Sequence, residues 1–435
     1  MERRMMKRRW MALIITFVAG GLLLVMGGIS QTKITLTLWS GFFELTPVYE
    51  LAIKDYENLH PNVDIELATF ALRDQERKLA VALPSGTGPD MIETCLFTSY
   101  KYIKGGYLRK LPAELLKFRN ESCFSYNIRK VDDYGMPWFG NVDGLYWNRT
   151  MFMEAGLPGS PKTYREQTEY AQKLTKYDTK GEVTRSGYSL RLSGAGSGVA
   201  EKYWIIGVMP YGGRIVAQAP SGKYHNGYNN EAGRNALKLY MDYLYKHKID
   251  SFKVKHDAEA FALERTAMLM REAWVVGHMK EHAPNVNYDS SILPVVSKYD
   301  LRSGLGQTYC LYVTKTSKNS HTAWDFIKFT ESPKYLKYMY LNVGWVPTRK
   351  DIGYEDVYKE APQLRNFTYK DYNNVQFYDP MVCTDEIYTK LAERLMAAYA
   401  RKDLLDNPEG IAKVIAEAAE ETDNILKEAG LYGEK

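Results

Sequence analysis

The chain has 435 residues and a formal charge of +5, with 45% hydrophobic and 25% charged residues. This length exceeds the range over which one hydrophobic core keeps growing, so two lobes or domains are expected. The basic residues among the first nine, offset by Glu2, account for 5 − 1 = +4 of the charge and leave +1 for the rest. A near-neutral body argues against nucleic-acid binding, which needs a concentrated basic face.

Aromatic residues are the unusual part of the composition, with 34 Tyr beside 8 Trp and 15 Phe. Aromatic rings with polar tips suit surfaces that are both apolar and hydrogen-bonding. The alternative is a protein whose core and rim are simply rich in Tyr.

The amino-terminal segment is typical of an export signal. A basic stretch ending at Arg9 is followed by an apolar run, Trp10 to Ile29, without charge or proline, as in a signal sequence. Gly28 and Ser30 supply small residues for cleavage after Ser30, but the run is also long enough for an uncleaved membrane anchor. Both interpretations place residues 31–435 outside the cytoplasm, because amino-terminal positive charge stays inside.

Four cysteines, Cys95, Cys123, Cys310 and Cys383, are widely spaced. No C-x-x-C spacing occurs, so the sequence does not indicate a structural zinc site. Disulfides are permitted outside the cytoplasm but are not implied. We expect no metal and no cofactor.

Strand and helix patterns alternate after the export segment. The predicted strands are 33–39, 63–69 and 89–95, and the helices between them are 48–59 and 74–82. Thr46 and Pro47 are typical of a helix N-cap followed by Pro at the first helical position. Short connections between these elements predict a parallel α/β sheet.

The same alternation continues to the end of the chain. A strand pattern at 136–148 is broken by Gly140, and the stretch 193–198, SGAGSG, is a loop. The later predictions are helices at 163–175, 320–330, 386–401 and 408–429, and a strand at 310–314.

Several stretches, in order and at family-like spacing, resemble one family. They are LTLWSG, VYELAIKDYENLHPNVDIEL, SGTGPDMIE, YGMPWFGNVDGLYWNRTMFMEAGLP, PKTYREQTEYAQKLT, TAMLMREAW, ILPVV, TKTSKNSHTAWDFIKFTESPKY and GWVPTRKD. The chain is similar over residues 33–430 to the extracellular solute-binding proteins of ATP-driven sugar importers, the maltose-binding-protein-like group.

The resemblance implies an α/β, two-lobed type II periplasmic-binding-protein fold with discontinuous lobes joined by a hinge. The implied boundaries are 1–30 for the signal or anchor, 31–140 with 298–340 for the first lobe, and 141–297 with 341–435 for the second. The implied crossings between the lobes lie near 140–142, 294–297 and 340–345. Ligand contacts to both lobes would favour the closed state.

The resemblance also implies function. The chain would be a non-enzymatic, extracytoplasmic component of an ABC importer that captures a mono- or oligosaccharide and delivers it to permease subunits. We expect a monomer that binds no nucleic acid.

Sugar rings have apolar faces and hydroxyl-rich edges, so their sites combine aromatic platforms with polar side chains. Trp39 ends the first strand, where α/β sheets place ligands, and Trp345 lies in the GWVP turn. Trp274 ends TAMLMREAW and matches an aromatic residue that stacks on sugar in the family. Core packing is the alternative for each, and we expect Trp147 and Trp324 to be core.

Several polar side chains are candidates for contacts with sugar hydroxyl groups. Asn141 lies at the first crossing, where the family places a ligand contact. Glu44 either contacts sugar hydroxyls or supports the start of the first helix. The remaining ligand-binding candidates, at strand ends, are Glu93, Thr94, Gln307 and Tyr309. We expect Asp143 and Glu272 to be structural.

The chain departs from the family where Arg271, Glu272 and Ala273 precede Trp274, since family members often have Gly there. This departure leaves open how a ligand fits and predicts a charged contact. The SGAGSG loop is a candidate ligand contact from the second lobe, and it lacks the phosphate-loop pattern.

Other functions have weaker support. His278 and His282 stand four apart in HMKEH, but Met279 occupies the position of the glutamate in H-E-x-x-H, so we expect a surface helix. No G-x-S-x-G elbow occurs, although paired glycosidase carboxylates stay open from sequence. The same fold could instead hold a peptide, a polyamine through clustered acids, or an oxyanion through Arg or helix N-termini.

Overall fold

The computed structural model describes residues 33–124, 133–254, 257–295, 301–368 and 372–434. The predicted export segment, residues 1–30, lies outside these ranges. No helix within the described ranges has the length and apolarity needed to cross a bilayer.

The amino-terminal part alternates strands and helices, as predicted. Its elements are β1 (Ile34–Ser40), α1 (Thr46–Leu59), β2 (Val63–Thr69), α2 (Leu72–Ser85), β3 (Met91–Cys95), α3 (Leu96–Lys104) and α4 (Ala113–Ser122). The polar–apolar alternation of β1 buries Leu36 and Leu38 on one face. In α1, Val48, Ala52 and Tyr56 recur at helical spacing and form the buried stripe.

The predicted N-cap at Thr46 is wrong by one residue. A 3₁₀ turn, Phe43–Leu45, runs directly into α1, so Leu45 is the N-cap and Thr46 is the first helical residue. The Thr46 hydroxyl lies 3.1 Å from the Thr69 hydroxyl. It therefore links the helix to β2 and does not cap its own helix.

The middle of the chain contains all three strands of a small antiparallel sheet. The elements of this part of the chain are β4 (Met136–Asn141), β5 (Gly144–Asn148), α5 (Arg149–Glu154), α6 (Tyr164–Leu174), β6 (Lys176–Tyr177), β7 (Val183–Arg185), α7 (Gly198–Tyr203), β8 (Val216–Gln218), β9 (Tyr224–Asn226), α8 (Glu231–Met241), α9 (Asp257–Ala262), β10 (Met268–Arg271), α10 (Val275–His282) and β11 (Tyr288–Ser291). Helices α7 and α8 each continue into a π-helical turn, Trp204–Val208 and Asp242–Lys246.

The last part of the chain contributes two strands, which join the same sheet as β1, and several helices. Its elements are β12 (Ser303–Val313), α11 (Ser320–Thr330), α12 (Pro333–Asn342), α13 (Glu355–Glu360), β13 (Asn374–Phe377), α14 (Thr384–Tyr399) and α15 (Pro408–Glu428). Helices α14 and α15 pack against each other, and α14 also packs on α7.

Two sheets organise the molecule. In the first, the strand order is β13-β12-β3-β1-β2, with β4 also paired to β12. Strands β1, β2 and β3 are parallel, whereas β12 runs antiparallel to β3 and β4. The second sheet is antiparallel, with the order β10-β5-β11. The predicted α/β, two-lobed type II fold is confirmed.

The chain passes between the two sheets near two of the three places where the resemblance implied crossings. Strand β4 of the first sheet is followed by β5 of the second, with only Val142 and Asp143 between them. A second passage lies between β11 and β12, and α12 packs on both α1 and α10. The predicted lobe boundaries stay a prediction. These boundaries assign β13 to the second lobe, but β13 pairs with the start of β12, which they assign to the first.

Tyrosine supplies a large part of the core. Tyr side chains that are less than 2% exposed occur throughout the protein, namely Tyr49, Tyr56, Tyr146, Tyr188, Tyr203, Tyr228, Tyr240, Tyr243, Tyr312, Tyr340 and Tyr399. Trp324 is also core, as predicted, and Trp147 packs against the core in a half-buried position. The high Tyr count is therefore mainly a property of the packing.

Two glycines bring α10 into backbone contact with the segment after α12. A Cβ atom on Gly277 would lie 2.5 Å from the Val343 carbonyl oxygen and 2.7 Å from that of Asn342. Gly344 has a φ of +92°, and a Cβ there would lie 2.4 Å from the Ala273 carbonyl oxygen. This contact fixes the distance between Trp274 and Trp345.

We predict that Gly277→Ala destabilises the protein by about 1–3 kcal/mol, because the added methyl group forces two backbone segments apart. Urea denaturation would measure the change in the free energy of unfolding. Gly353→Ala is the matched control, since the nearest atom to its new methyl group is the tip of the Glu355 side chain. Equal stability of the two variants would show that this backbone contact is not required.

Candidate functional site

A cavity of about 690 Å³ lies between the two lobes. Its size falls within the range of about 300–1,000 Å³ that is typical of small-molecule sites. Both sheets and the segment after α12 contribute side chains to its wall. The site is therefore incomplete in either lobe alone.

The first lobe lines the cavity where its parallel strands end. Phe42, Phe43 and Glu44 follow β1, Arg73 and Glu76 begin α2 after β2, and Phe97 begins α3 after β3; Gln307 and Tyr309 come from β12. The carboxyl ends of parallel strands meet at one edge of a sheet, which is where α/β proteins bind ligands.

The second lobe and the connecting segment form the opposite wall. The second-lobe residues are Arg191, Gly198, Glu201, Arg271, Glu272, Trp274, Gly277, His278, Glu281 and His282. Tyr338, Asn342, Val343 and Trp345 line the cavity from α12 and the turn that follows it. Charged side chains are thus concentrated on this wall.

Aromatic rings form a continuous cluster at the cavity. Tyr309 stacks on Phe139 with ring centroids 4.8 Å apart, and Trp345 lies 4.7 Å from the same ring. Phe42 meets Tyr309 edge to face at 5.0 Å. Phe43, which lines the cavity beside them, is 61% exposed. Phe42, Phe43, Tyr309 and Trp345 line the cavity, whereas Phe139 is fully buried.

Trp274 is held by the two charged residues that precede it. Its indole N–H donates to the Glu272 carboxylate at 3.0 Å, and the Arg271 guanidinium lies 4.9 Å from its ring centroid. The residues that depart from the family pattern thus contact the Trp274 indole, and a charged contact to a ligand at this place stays a prediction. The contacts of Glu272 and Arg271 orient the indole, which stays half-buried at the cavity.

A buried ion network stands behind Trp274. The Lys202 ammonium pairs with Asp143 and, at 2.8 Å, with Glu272. Arg271 pairs at 3.1 Å with both Glu272 and Asp257. Asp143 and Glu272 are structural in this network, as predicted, although Glu272 also reaches the cavity wall.

Burial and pairing act against each other on the pKa values in this network. Burial raises the pKa of Asp143 to about 6, although Lys202 opposes the shift. Burial would also raise the pKa of Glu272, but Arg271 and Lys202 together hold it below its ordinary value. Glu272 is therefore the charged partner of both cations at neutral pH.

Two hydrogen bonds join first-lobe residues to the SGAGSG loop and to α7, which follows it. The Arg73 guanidinium donates to the Ser197 hydroxyl at 3.2 Å, and the Gln307 amide donates to the Glu201 carboxylate at 3.3 Å. Ser197 also donates to Glu201 at 2.6 Å. The SGAGSG loop is thus beside the cavity, where it meets the first lobe.

Five predicted ligand-binding residues line this cavity, namely Glu44, Trp274, Gln307, Tyr309 and Trp345. Desolvation by the surrounding protein raises the pKa of Glu44, and its own backbone N–H, followed by the Trp345 indole N–H, opposes the shift. The Asn141 backbone pairs with Gln307 at the first crossing, but its side chain lies outside the described part of the structure.

Three predicted site residues lie elsewhere. Trp39 packs edge to face on Phe70, with ring centroids 5.3 Å apart, and lies beside a small core cluster. Glu93 and Thr94 are buried in β3, where side chains alternate between the two covered faces of a central strand. Glu93 accepts hydrogen bonds from the Tyr49 hydroxyl and, at 3.3 Å, from Ser40.

Several cavity residues were missed by the sequence analysis. The prediction that HMKEH forms a surface helix is incomplete, because His278, Glu281 and His282 line the cavity. The two His rings stack with centroids 4.5 Å apart, and burial followed by the neighbouring His282 lowers the pKa of His278. Arg191 carried no signal beyond its closeness to the SGAGSG loop.

No group of three or more His, Cys, Asp or Glu side chains is arranged to hold a metal ion in the part of the chain that the structure describes. The four cysteines are free thiols and all are buried.

Residues 52–366 match the model of the family described as bacterial extracellular solute-binding protein, and the chain belongs to this family. Its members are binding proteins, so the prediction of a non-enzymatic, extracytoplasmic binding protein is confirmed at this level.

Solved structures and a sequence relative agree with this assignment. An ABC substrate-binding protein of Listeria monocytogenes in complex with cycloalternan superposes with a TM-score of 0.77 and 16% identity, covering 92% of this chain and all of that one. A maltose-bound protein of T. maritima gives 0.75 and 18%, covering 89% and 99%. A multiple sugar-binding protein of Streptococcus mutans is 22% identical over 390 residues, 85% of this chain and 88% of the relative.

We predict that Lys202→Met destabilises the protein by about 3–5 kcal/mol, because it leaves Asp143 and Glu272 buried without their shared cation. Chemical denaturation at neutral pH would measure the loss. Lys246→Met makes the same substitution at an exposed position, so it is the control and should change stability little. A loss no larger than that of the control would contradict a structural role for the network.

We predict that Glu93 makes the protein less stable as pH rises. Burial raises the pKa of Glu93 from 4.5 to about 8, with Tyr49 and Ser40 opposing. The folded chain thus retains a proton that the unfolded chain releases, and the free energy of unfolding falls between these two pH values. Glu93→Gln should remove a few kcal/mol of this decline, measured by urea denaturation at pH 5 and pH 8. An unchanged pH dependence would contradict the assignment, and exposed Glu428→Gln is the control.

Proposed function

We propose that the cavity binds a carbohydrate between the two lobes, and that the protein delivers it to the permease of an ABC importer. The observation that carries this proposal is the combination of aromatic rings and polar groups in one interlobe cavity. Sugars need both, because each ring has an apolar face and a hydroxyl-bearing edge.

Trp274 and Trp345 are the proposed platforms, and they belong to the two backbone segments that Gly277 and Gly344 bring together. Glu44, Gln307 and Tyr309 are the proposed hydrogen-bonding groups of the first lobe. Asn141 is kept in the proposed site because its strand position is adjacent to Gln307. The indole that Glu272 and Arg271 orient would offer a fixed surface, which lowers the entropy cost of binding.

The names of similar proteins support the ligand class. A multiple sugar-binding protein and a maltose-bound protein are among them. The alternatives on this fold, peptide or polyamine, have less support from these names. Two of the acidic side chains at the cavity, Glu76 and Glu272, are also already engaged with arginine and lysine.

Closure of the lobes is the proposed signal to the permease. The contacts Arg73–Ser197 and Gln307–Glu201 already bridge the lobes. A ligand that touches both walls adds affinity to the closed state alone and therefore shifts the population towards it. We further propose that the protein acts as a monomer, exported through its amino-terminal segment, and that it binds no nucleic acid.

A thermal-shift screen of the full-length protein tests the proposal, using mono- and oligosaccharides with peptides, polyamines and inorganic oxyanions as controls. A ligand at 100 times its dissociation constant stabilises the folded state by about 2.7 kcal/mol, which raises the midpoint by a few degrees. A shift with saccharides supports the proposal, and a shift confined to a control class contradicts the carbohydrate assignment.

We predict that Trp274→Ala abolishes detectable saccharide binding by calorimetry and leaves the protein folded, because the half-buried ring is a surface for the ligand more than part of the core. Trp274→Phe should retain part of the affinity, since it keeps an aromatic face. Tyr177→Ala, at an exposed site away from the cavity, should bind normally. Unfolding of Trp274→Ala would instead identify the ring as core.

A further inference from the structure

Arg191 is a charged residue of the cavity wall that has no role in the site described above. It follows Ser189, which pairs with Leu269 of β10, so Arg191 and Arg271 emerge at the same end of the second sheet. The Arg191 side chain makes no hydrogen bond or ion pair with any residue in the described part of the chain, and its Nε is fully buried. The terminal N–H groups of the guanidinium are therefore available to a ligand at the cavity.

The other two arginines of the cavity have carboxylate partners. Arg73 pairs with Glu76 at 2.7 Å, and Arg271 pairs with both Asp257 and Glu272. A buried guanidinium normally has such a partner, because an unpaired charge in a poorly solvated place costs several kcal/mol. Arg191 instead lies near a like charge. Burial and then Arg271 lower the pKa of its guanidinium.

Glycines leave room for this guanidinium. A Cβ atom on Gly198 would lie 2.5 Å from both the guanidinium carbon and one terminal nitrogen of Arg191. A Cβ on Gly194 would lie 3.5 Å from that nitrogen. The SGAGSG loop therefore packs its backbone against the Arg191 head group, and a larger residue at Gly198 would displace it.

Glu201 is the nearest candidate for an internal counter-charge, and its carboxylate is already engaged. It accepts from the Ser197 hydroxyl and the Gln307 amide and makes no direct contact with Arg191. It does attract Arg191 through space, as Asp257 and Glu272 do. The Arg191 guanidinium, a donor, and the Glu201 carboxylate, an acceptor, are thus separate groups at the cavity.

We propose that the ligand is an acidic carbohydrate whose carboxylate, as in a uronic acid, pairs with Arg191. This inference rests on the proposed function and narrows its substrate class. A planar guanidinium can bind a carboxylate through two parallel hydrogen bonds, which supplies geometry as well as charge. A neutral sugar could accept hydrogen bonds from Arg191, but its hydroxyl groups would supply no negative charge to pair directly with the guanidinium.

The Glu201 carboxylate complements this arrangement. It would accept hydrogen bonds from sugar hydroxyls, while the Ser197 and Gln307 donors keep it from competing for the Arg191 guanidinium. The aromatic platforms would contact the ring faces of the same ligand. An anionic group at one end of a sugar therefore has a defined orientation in the cavity.

Matched pairs of saccharides test the inference by isothermal titration calorimetry with the full-length protein. The pairs are galacturonate with galactose, glucuronate with glucose, and digalacturonate with galactobiose. We expect the acidic member to bind on the order of tenfold to a hundredfold more tightly, the worth of a charged hydrogen-bonding pair. Glucose 6-phosphate and N-acetylglucosamine 6-sulfate distinguish a carboxylate from other anionic oxygens.

Substitution of Arg191 assigns the preference to this residue. Arg191→Gln should bring the affinity ratio of each pair close to one, and Arg191→Lys should retain part of it because the charge remains. In the ligand-free protein, Arg191→Gln should leave the unfolding temperature unchanged or raise it, because it removes an unpaired charge. Arg165→Gln, an exposed position outside the cavity, is the control.

The outcomes separate this inference from carbohydrate binding itself. Neutral sugars that bind as tightly as their acids would overturn the acidic class and leave the proposed function standing. A preference for phosphate or sulfate esters over carboxylates would overturn the uronic-acid assignment. A preference that persists in Arg191→Gln, or a large fall in the stability of that variant without ligand, would overturn the role of Arg191. Binding only to non-saccharide controls would overturn both proposals.

Discussion

The buried ion network around Lys202 is the interaction on which the site depends, because it joins three segments that are distant in sequence. Asp143 stands at the passage from the first sheet to the second, Lys202 belongs to α7, and Glu272 with Arg271 ends β10. Charges buried in this way are costly unless every partner is present. The network therefore fixes the first crossing relative to the second-lobe wall, and Trp274 takes its orientation from the same carboxylate.

Close backbone packing completes what the ion network begins. Gly277 and Gly344 allow α10 to touch the segment after α12, and this segment carries Trp345 into the cavity. Trp274 is thus positioned by electrostatic contacts, and Trp345 is positioned by close backbone packing at the two glycines. Both kinds of constraint act on rigid elements, which is the condition for a preorganised binding site.

The sequence predicted most of the first-lobe elements, because strands with period two and helices with period 3.6 are separated there by Pro and Gly turns. It also predicted five residues of the cavity from strand ends and family position. Trp39 and Glu93 failed to reach the cavity for a shared reason. A residue near a strand end points to one of the two faces of the sheet. Phe70 covers the face that Trp39 points to, and Tyr49 and Ser40 cover the face of Glu93. Register of this kind depends on tertiary packing that a single sequence does not record.

Charged residues of the second lobe were the hardest to interpret from sequence, since an Arg in a loop is usually a solvated side chain. Arg271 and Arg191 differ only in what surrounds them. Arg271 has two carboxylates within ion-pair distance, whereas Arg191 has glycine backbone beside it and a cavity in front of it. The fold alone does not determine the ligand, because many chemistries share one scaffold. Specificity instead depends on which buried group is left for the ligand to pair, and in this cavity that group is a cation.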